Sequence, residues 1–346
     1  LRAVPDDLTA RWLLNLAAMT LGTHPDGVDP AWRIDRSVFT SDYDIGRLYD
    51  VAPAVGVDHI GRAGGSILDD LDRDGDLDLL VSSWGPTDPM ALFLNRGDGT
   101  FEDATARSGL DGIVGGLNMV HADYDDDGDL DVFVLRGGWF GADGELPNSL
   151  LRNRGDATFE DATRAAGLYS LHPTQTGAWA DFDLDGDLDL YVGNESQGGR
   201  SHPNELFRNE GNGTFVDVAA ELGATAPGFN KGVVWGDVDG DGYPDLYASR
   251  YGGPNALLRN GGPGEGGAWR PFEDVAAQAG VIEPVNSFPT WMWDPDNDGD
   301  LDLFVSGYGH PTRFLDGAAK EVVADALGLP TEGEWPRLYR NRGDGT

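Results

Sequence analysis

Five stretches of this chain place carboxylates where a hard cation could be held. The nine-residue pattern Asp-x-Asp-x-Asp-Gly-x-x-Asp begins at Asp70, Asp123, Asp181, Asp237 and Asp294. In each copy acids stand at positions 1, 3 and 5, glycine at 6 and another Asp at 9. Wrapped around a point, that spacing turns several oxygens inward while glycine permits the sharp turn. Ca²⁺ takes six to eight hard oxygen ligands at about 2.3–2.6 Å, which such a loop supplies. Mg²⁺ fits less well because it keeps several waters in a strict octahedron. Zinc is disfavoured where neither His nor Cys stands among the candidate ligands. Without a cation the clustered carboxylates repel one another, and the sequence places no Lys or Arg to neutralise them; Arg73 falls at an even, outward position of the first loop. A solvated acidic turn would explain one copy but not five at a fixed phase. An EF-hand is excluded, because position 12 needs a bidentate Glu and is here Val81, Val134, Val192, Ala248 or Val305.

The elements that must position these loops follow from the repeat. Successive copies start 53, 58, 56 and 57 residues apart. Each runs into a short β-favouring stretch, at 79–81, 132–134, 190–192, 246–248 and 303–305. An Asn-x-Gly turn comes next, at Asn95, Asn153, Asn209, Asn260 and Asn341, and then a Phe-x-Asp segment at Phe101, Phe159, Phe215 and Phe272. Leu48-Tyr49-Asp50-Val51-Ala52 matches that segment with Leu48 in the Phe place. Read in this phase the units are 48–100, 101–158, 159–214, 215–271 and 272–346. Short strands between Gly, Asn and Asp turns at this period predict an all-β fold, a β-propeller of four-stranded blades. Residues 1–47 differ: Asp6 to Leu21 reads as a helix capped by Asp6 or Asp7, with Leu8, Trp12, Leu13 and Leu16 as its apolar stripe and Gly22 as its stop. That stripe is expected to pack on the repeats or on a neighbouring domain, and residues 23–47 read as a connector.

Composition narrows the partners. Sixty acidic against 24 basic residues give a net charge of −36. Phosphate recognition needs clustered Lys and Arg, so nucleic acid is excluded, and so is adsorption to anionic membranes. No apolar run approaches a membrane span, so membrane insertion is not expected. The absence of cysteine removes disulfides and thiolate metal sites. No signal segment precedes Leu1, so a leader is expected to have been removed or to lie outside these residues.

Together, the Asp loop, the strand, Asn-x-Gly-Asp-Gly-Thr-Phe and Asp-Val-Ala resemble the FG-GAP (VCBS-like) repeats of integrin α-subunit propellers and of many secreted bacterial proteins. The likeness covers residues 48–346 and is nearest the cartilage-acidic-protein type, often linked with an ASPIC/UnbV tail; Arg11-Trp12-Leu13-Leu14-Asn15-Leu16 also resembles the segment before such propellers. It implies seven blades, with Ca²⁺ in the hairpin between the first two strands of a blade. It also implies side-chain ligands at positions 1, 3, 5 and 9 and a main-chain carbonyl at 7. Carried over, the first cage is Asp70, Asp72, Asp74, Asp76 (carbonyl) and Asp78. The second is Asp123, Asp125, Asp127, Asp129 (carbonyl) and Asp131, and the third Asp181, Asp183, Asp185, Asp187 (carbonyl) and Asp189. The fourth is Asp237, Asp239, Asp241, Tyr243 (carbonyl) and Asp245, and the fifth Asp294, Asp296, Asp298, Asp300 (carbonyl) and Asp302. About five Ca²⁺ are expected. Only five cages appear, no ASPIC/UnbV tail follows, and the sequence stops at Thr346 where other copies continue into Phe; a propeller truncated at its C-terminus is the expectation.

Other signals are weaker. Arg-Gly-Asp at 96–98, 154–156 and 342–344 is the turn of the second motif, and the six histidines share no metal or catalytic spacing. Asn194-Glu195-Ser196 and Asn212-Gly213-Thr214 are sequons that arise by chance. Trp179 and Trp235 read as core. Fourteen residues beyond each first Asp stand Trp84, Gly137, Glu195, Tyr251 and Tyr308, on the face opposite the cages, as a candidate contact ring or as packing between blades. With the acids committed to cages, no nucleophile and base set remains. The reading is a non-enzymatic, calcium-stiffened scaffold for a protein or glycan ligand, with self-assembly as a variant; the alternative is a carbohydrate-active enzyme or accessory module whose catalytic residues lie outside these motifs. The expected location is extracellular or at a bacterial cell surface, with the periplasm as an alternative.

Overall fold

Every Asp loop closes a β-hairpin, and the hairpins organise the chain. The structure, a computed structural model, describes residues 5–40, 46, 48–307, 320, 322–330 and 334–343. Tyr308, His310 and residues 344–346, used in the sequence reading, lie outside the described residues. Two compact units result, Leu1–Tyr49 with Gly307–Trp335, and Asp50–Ser306 with Pro336–Thr346.

The second unit is built of antiparallel sheets whose strands lie side by side in chain order. Blade one holds β1 (Ser66–Asp69), β2 (Asp78–Val81), β3 (Ala91–Asn95) and β4 (Phe101–Asp103). Blade two holds β5 (Asn118–Ala122), β6 (Asp131–Leu135), β7 (Ser149–Asn153) and β8 (Phe159–Asp161). Blade three holds β9 (Thr174–Ala180), β10 (Asp189–Asn194), β11 (Glu205–Asn209) and β12 (Phe215–Asp217). Blade four holds β13 (Asn230–Gly236), β14 (Asp245–Arg250), β15 (Ala256–Arg259) and β16 (Glu273–Asp274). In blade five β17 (Ser287–Trp293), β18 (Asp302–Gly307) and β19 (Arg337–Tyr339) are described. The first strands neighbour one another in the succession β1, β5, β9, β13, β17. This is the expected all-β, blade-like fold, with five blades described and a count of seven not established by them.

Side-chain alternation explains why the second strands read as continuous apolar runs. Val132 and Val134 of β6 pack with Leu80, Leu92 and Ile67 of blade one. Phe133 and Leu135, pointing the other way, pack with Leu190, Val192 and Phe207 of blade three. Tyr191 and Leu206 meet Val233, Leu246 and Leu258 at the next junction, and Tyr247 and Leu257 meet Leu303 and Val305 at the last. Both faces of an inner blade are thus buried, so period-2 patterning disappears. Each fully buried aliphatic side chain contributes about 1.5–3 kcal/mol of transfer free energy. Trp179 and Trp235 pack against these clusters, as read from the sequence.

The phase of the blades differs from the sequence reading. Phe101 pairs with Asn95, Phe159 with Asn153 and Phe215 with Asn209. The Phe-x-Asp strand therefore ends the sheet whose cage precedes it, and the units at 101, 159 and 215 begin one strand too early. The Asn-x-Gly turn between β3 and β4 is a tight hairpin, which a sequence reader takes for a boundary.

In the first unit α1 (Leu8–Thr20) starts where predicted, with Asp7 Oδ1 accepting from Ala10 N at 2.9 Å. Its buried residues are Asn15 and Ala18, whereas Leu13 and Leu16 of the predicted stripe are exposed. Asn15 Nδ2 donates to the carbonyls of Arg11 and Trp32 at 2.8 Å, and its Oδ1 accepts from Ile34 N at 2.9 Å. One buried amide that satisfies three backbone groups of the helix and connector outweighs the exposed leucines.

Candidate metal centre

Each cage is curled by its own backbone. Position 4 adopts left-handed geometry in all five: Arg73, Asp126, Leu184 and Asn297 have φ of 62°, 56°, 57° and 57°, and Gly240 has 73°. Position 6 lies near φ +90°, as at Gly186 (101°), in a region essentially reserved for glycine. No neighbouring atom crowds Gly186, so backbone conformation alone requires glycine there.

That curl aims backbone N–H groups at the first carboxylate. Asp123 accepts from Asp127 N at 3.1 Å and Gly128 N at 2.9 Å, and Asp181 from Asp185 N and Gly186 N at 3.1 Å. Asp70, Asp237 and Asp294 accept comparable bonds from positions 4 to 6. The position 5 carboxylates of Asp74, Asp127, Asp185, Asp241 and Asp298 accept from the position 7 N–H. At position 7 the side chains of Asp76, Asp129, Asp187 and Asp300 lie against Gly97, Gly155, Gly211 and Gly343 of the Asn-x-Gly turn. A main-chain role at position 7 fits Tyr243, which stands there in the fourth cage.

Position 9 closes each hairpin. Asp189 Oδ2 accepts from Phe182 N at 3.0 Å and Oδ1 from Asn209 N at 2.8 Å. Asp78, Asp131 and Asp245 do the same with Leu71 and Asn95, Tyr124 and Asn153, and Val238 and Asn260. Asp302 Oδ1 takes Asn341 N at 2.9 Å. Four of these position 9 acids, Asp78, Asp131, Asp189 and Asp245, are fully buried.

Within each cage three carboxylates bring an oxygen within 4.8 Å of one another: Asp70, Asp72 and Asp78; Asp123, Asp125 and Asp127; Asp181, Asp183 and Asp189; Asp237, Asp239 and Asp241; Asp294, Asp296 and Asp298. Positions 1 and 3 therefore converge in all five, with position 5 or 9 as the third member. The donor set is all oxygen, which suits Ca²⁺ and not zinc. Asp125 Oδ1 and Asp183 Oδ1 are buried with no hydrogen-bond partner, the condition a bound cation relieves. Electrostatics agree. Burial, then the neighbouring acids Asp185 and Asp181, pushes Asp183 up to about 6. Asp131 and Asp189 are pushed up to about 8 and Asp245 to about 7, chiefly by burial. The cages thus fit a hard divalent cation, whose charge would hold these groups ionised; positions 1, 3, 5 and 9 with the position 7 carbonyl would hold it.

The expectation that no cation neutralises the cages needs correction. Arg73 does point out of its own cage, but its Nε lies 2.9 Å from Gly128 O and 2.7 Å from Asp129 Oδ1 of the second. Arg152 stands 3.8 Å from Asp125 Oδ2, and Arg340 pairs with Asp296 and lies 3.4 Å from Asp298. These arginines are sequence-distant and approach only through folding.

At the opposite ends of the strands Trp84, Glu195 and Tyr251 make contacts between blades, with Trp84 still 36% exposed. Trp84 stacks on Phe140 at 4.9 Å and donates its indole N–H to Gly138 O at 3.1 Å. Glu195 is fully buried and pairs with Lys231. The ammonium lies 3.4 Å from the Trp139 ring centre and 3.8 Å from that of Phe229. Tyr251 sets its ring against Trp139 and Phe229 at 5.9 and 5.8 Å. Of the sequons, Asn194 is fully buried. Sequence reasoning also missed the Pro-Asn pairs before the third strands: Asn148, Asn204 and Asn255 accept from the backbone N–H of Arg136, Asn194 and Arg250. Their repetition after the second strand in blades two, three and four was the available signal.

Comparison with known proteins agrees with this architecture. The FG-GAP-like repeat matches residues 70–134, 123–192 and 181–248, together just over half of the chain. Human cartilage acidic protein 1 is 35% identical over 170 residues, covering 46% of this chain and 24% of that protein. The mouse protein is 25% identical over 271 residues, covering 72% of this chain and 41% of its own length, so the chain spans less than half of either relative. The V. cholerae biofilm matrix protein Bap1 superposes with a TM-score of 0.39 at 14% identity, over 71% of this chain and 35% of Bap1. The family match spans the first four hairpin cages and more than half of the chain, and the chain belongs to the FG-GAP-like repeat family.

Proposed function

We propose that this chain is a non-enzymatic extracellular scaffold whose blades are stiffened by Ca²⁺, one ion in each of the five cages. The observation that carries the reading is convergence: in five equivalent hairpins three carboxylate oxygens approach within 4.8 Å. Solvated turns would spread such charges apart. Membership of the FG-GAP-like family and kinship with cartilage acidic proteins support an extracellular setting. No helix among the described residues is long and apolar enough to cross a membrane. The ligand class is protein or glycan, met through loop surfaces, with assembly between copies as a variant.

The test has two arms. Equilibrium dialysis against ⁴⁵Ca²⁺ should give about five ions per chain, and a value near zero at millimolar Ca²⁺ refutes the calcium reading. A glycan array read beside a polysaccharide-cleavage assay addresses the scaffold: binding without turnover supports it, whereas catalytic turnover assigns the chain to carbohydrate-active enzymes.

A further inference from the structure

In four of the five Asn-x-Gly turns the asparagine reaches out of its own blade; in the first blade Asn95 Nδ2 donates to Leu77 O of its own cage, at 3.0 Å. Asn153 Nδ2 donates to Leu71 O at 2.8 Å, Asn209 Nδ2 to Tyr124 O at 2.8 Å, Asn260 Nδ2 to Phe182 O at 2.9 Å, and Asn341 Nδ2 to Val238 O at 2.7 Å. The four acceptors are the same atom in four cages, the carbonyl of position 2, which lies between the first two carboxylate positions of the preceding blade. Each asparagine is also held by its own cage. Asn209 N donates to position 9 Asp189 Oδ1 at 2.8 Å, and its Nδ2 also reaches position 8 Leu188 O at 3.2 Å. Asn153, Asn260 and Asn341 repeat both bonds with Asp131 and Leu130, Asp245 and Pro244, and Asp302 and Leu301. Asn153, Asn209 and Asn260 are at most 2% exposed, so water does not replace these bonds cheaply.

We propose that Asn153, Asn209, Asn260 and Asn341 are positioning residues for the cage of the preceding blade, so that neighbouring cages fill as coupled and not as independent sites. The inference rests on the calcium reading above. A cation in cage three draws Asp189 and the position 8 backbone into one arrangement and thereby fixes Asn209. The fixed amide then holds the Tyr124 carbonyl, while the Tyr124 N–H remains on Asp131 Oδ2 at 3.3 Å. The peptide groups on either side of position 2 in cage two are set before its ion arrives, and less ordering is left for binding to impose. Coupling free energy is reciprocal, so loading cage two favours cage three by the same factor. With four identical junctions in series, loading spreads between nearest neighbours as in a linear repeat array.

Tyrosine supplies local reporters, because Tyr124 is position 2 of cage two and Tyr243 position 7 of cage four. The full chain is labelled with 3-fluorotyrosine, and the two ¹⁹F resonances are assigned by Tyr124→Phe and Tyr243→Phe. Ca²⁺ alone is titrated. In Asn209→Ala the Tyr124 midpoint should rise about 3- to 10-fold, the range of one intramolecular hydrogen bond, while the Tyr243 midpoint moves less. Disabling cage three with Asp183→Asn and Asp185→Asn should raise the Tyr124 midpoint in the parent chain but add little in Asn209→Ala. A purely structural asparagine would instead lower thermal stability and leave the Tyr124 midpoint, and its response to cage three, unchanged; that result overturns the proposal. If Asn209→Ala does not fold, Asn341→Ala, at the half-buried last junction, is read at Tyr243 with the same expectation. Failure of both resonances to respond to Ca²⁺ would instead refute the calcium reading beneath it.

Discussion

Replacing Lys231 by methionine should cost more than replacing the whole ion pair to which it belongs. Lys231 and Glu195 side chains are both at 0% exposure, so neither charge can be solvated by water after its partner is removed. Burial lowers the lysine and raises the glutamate, the directions expected of a site that penalises a lone charge. After Lys231→Met, Glu195 keeps only the Trp139 N–H, at 2.7 Å, among the bonds described here. Gln175 Oε1, 2.9 Å from the ammonium, loses that donor, and the contacts over Trp139 and Phe229 vanish. Breaking a buried pair by removing one partner costs about 3–5 kcal/mol. At roughly 2–4 °C per kcal/mol for a large domain, the melting temperature should fall by on the order of 10 °C. Adding Glu195→Gln removes the stranded charge and should restore about half of the loss. The assay is thermal unfolding by circular dichroism at saturating Ca²⁺, which holds the cages constant. A single substitution costing under about 1 kcal/mol, or a double variant less stable than the single, would show that the pair does not bind these blades together.

Three further outcomes follow from the same geometry. With coupling between cages neglected, free Ca²⁺ at ten times Kd adds about 1.4 kcal/mol per site, hence on the order of 7 kcal/mol over five cages; Asp185→Ala should lower both ion count and melting temperature, and an unchanged melting curve in excess chelator refutes this. Glu205, buried and raised to about 7 by desolvation, is more readily protonated folded than unfolded, so its stabilising contribution is complete below about pH 4.5 and is lost as pH rises through 7. Glu205→Gln should therefore gain on the parent by up to about 3 kcal/mol at pH 8 and by little at pH 4.5, and a gap that does not widen with pH counts against it. Leu184 holds φ 57° with half its surface exposed, so Leu184→Asn should raise the melting temperature slightly, reflecting about 1 kcal/mol of relieved backbone strain; no gain means that the loop sets this conformation without strain.

What the sequence revealed was local, and what it hid was contact between blades. Cage positions 1 to 9 are legible because nine adjacent residues contain the whole curl, and β2 is legible because apolar residues follow at once. Blade phase was not, because Phe101 could open a new unit or return on Asn95, and only the pairing decides. Asp7 announced the start of α1, whereas counting leucines misjudged its buried face, where Asn15 answers hydrogen-bond demands that hydropathy does not weigh. Arg73 looked idle because its partner, Asp129, lies in the next blade. Trp84 and Glu195 looked like a rim because their partners, Phe140 and Lys231, come from other blades; Glu195 is fully buried by its pairing, whereas Trp84 stays exposed beside its stack.

The distribution of polar groups along each blade explains how such similar strands keep their register. Leu80, Val132, Leu190 and Leu246 lie within the second strands, one or two residues beyond the position 9 carboxylate, and are completely buried. At one end of those strands stand the carboxylates Asp78, Asp131, Asp189 and Asp245, each tied to two backbone N–H groups. At the other end Asn148, Asn204 and Asn255 receive the backbone N–H of the residue at the end of the second strand or just past it. A slip of one residue would turn the apolar set to the wrong face, and the cores on both sides of the blade resist it equally. A slip of two preserves the faces, so the apolar layer offers little resistance. It would, however, draw a carboxylate into the leucine layer and strip it of both donors, at several kcal/mol for an unpaired buried charge. Hydrophobic burial holds the blades together, and the polar groups at the two ends select the register in which they do so.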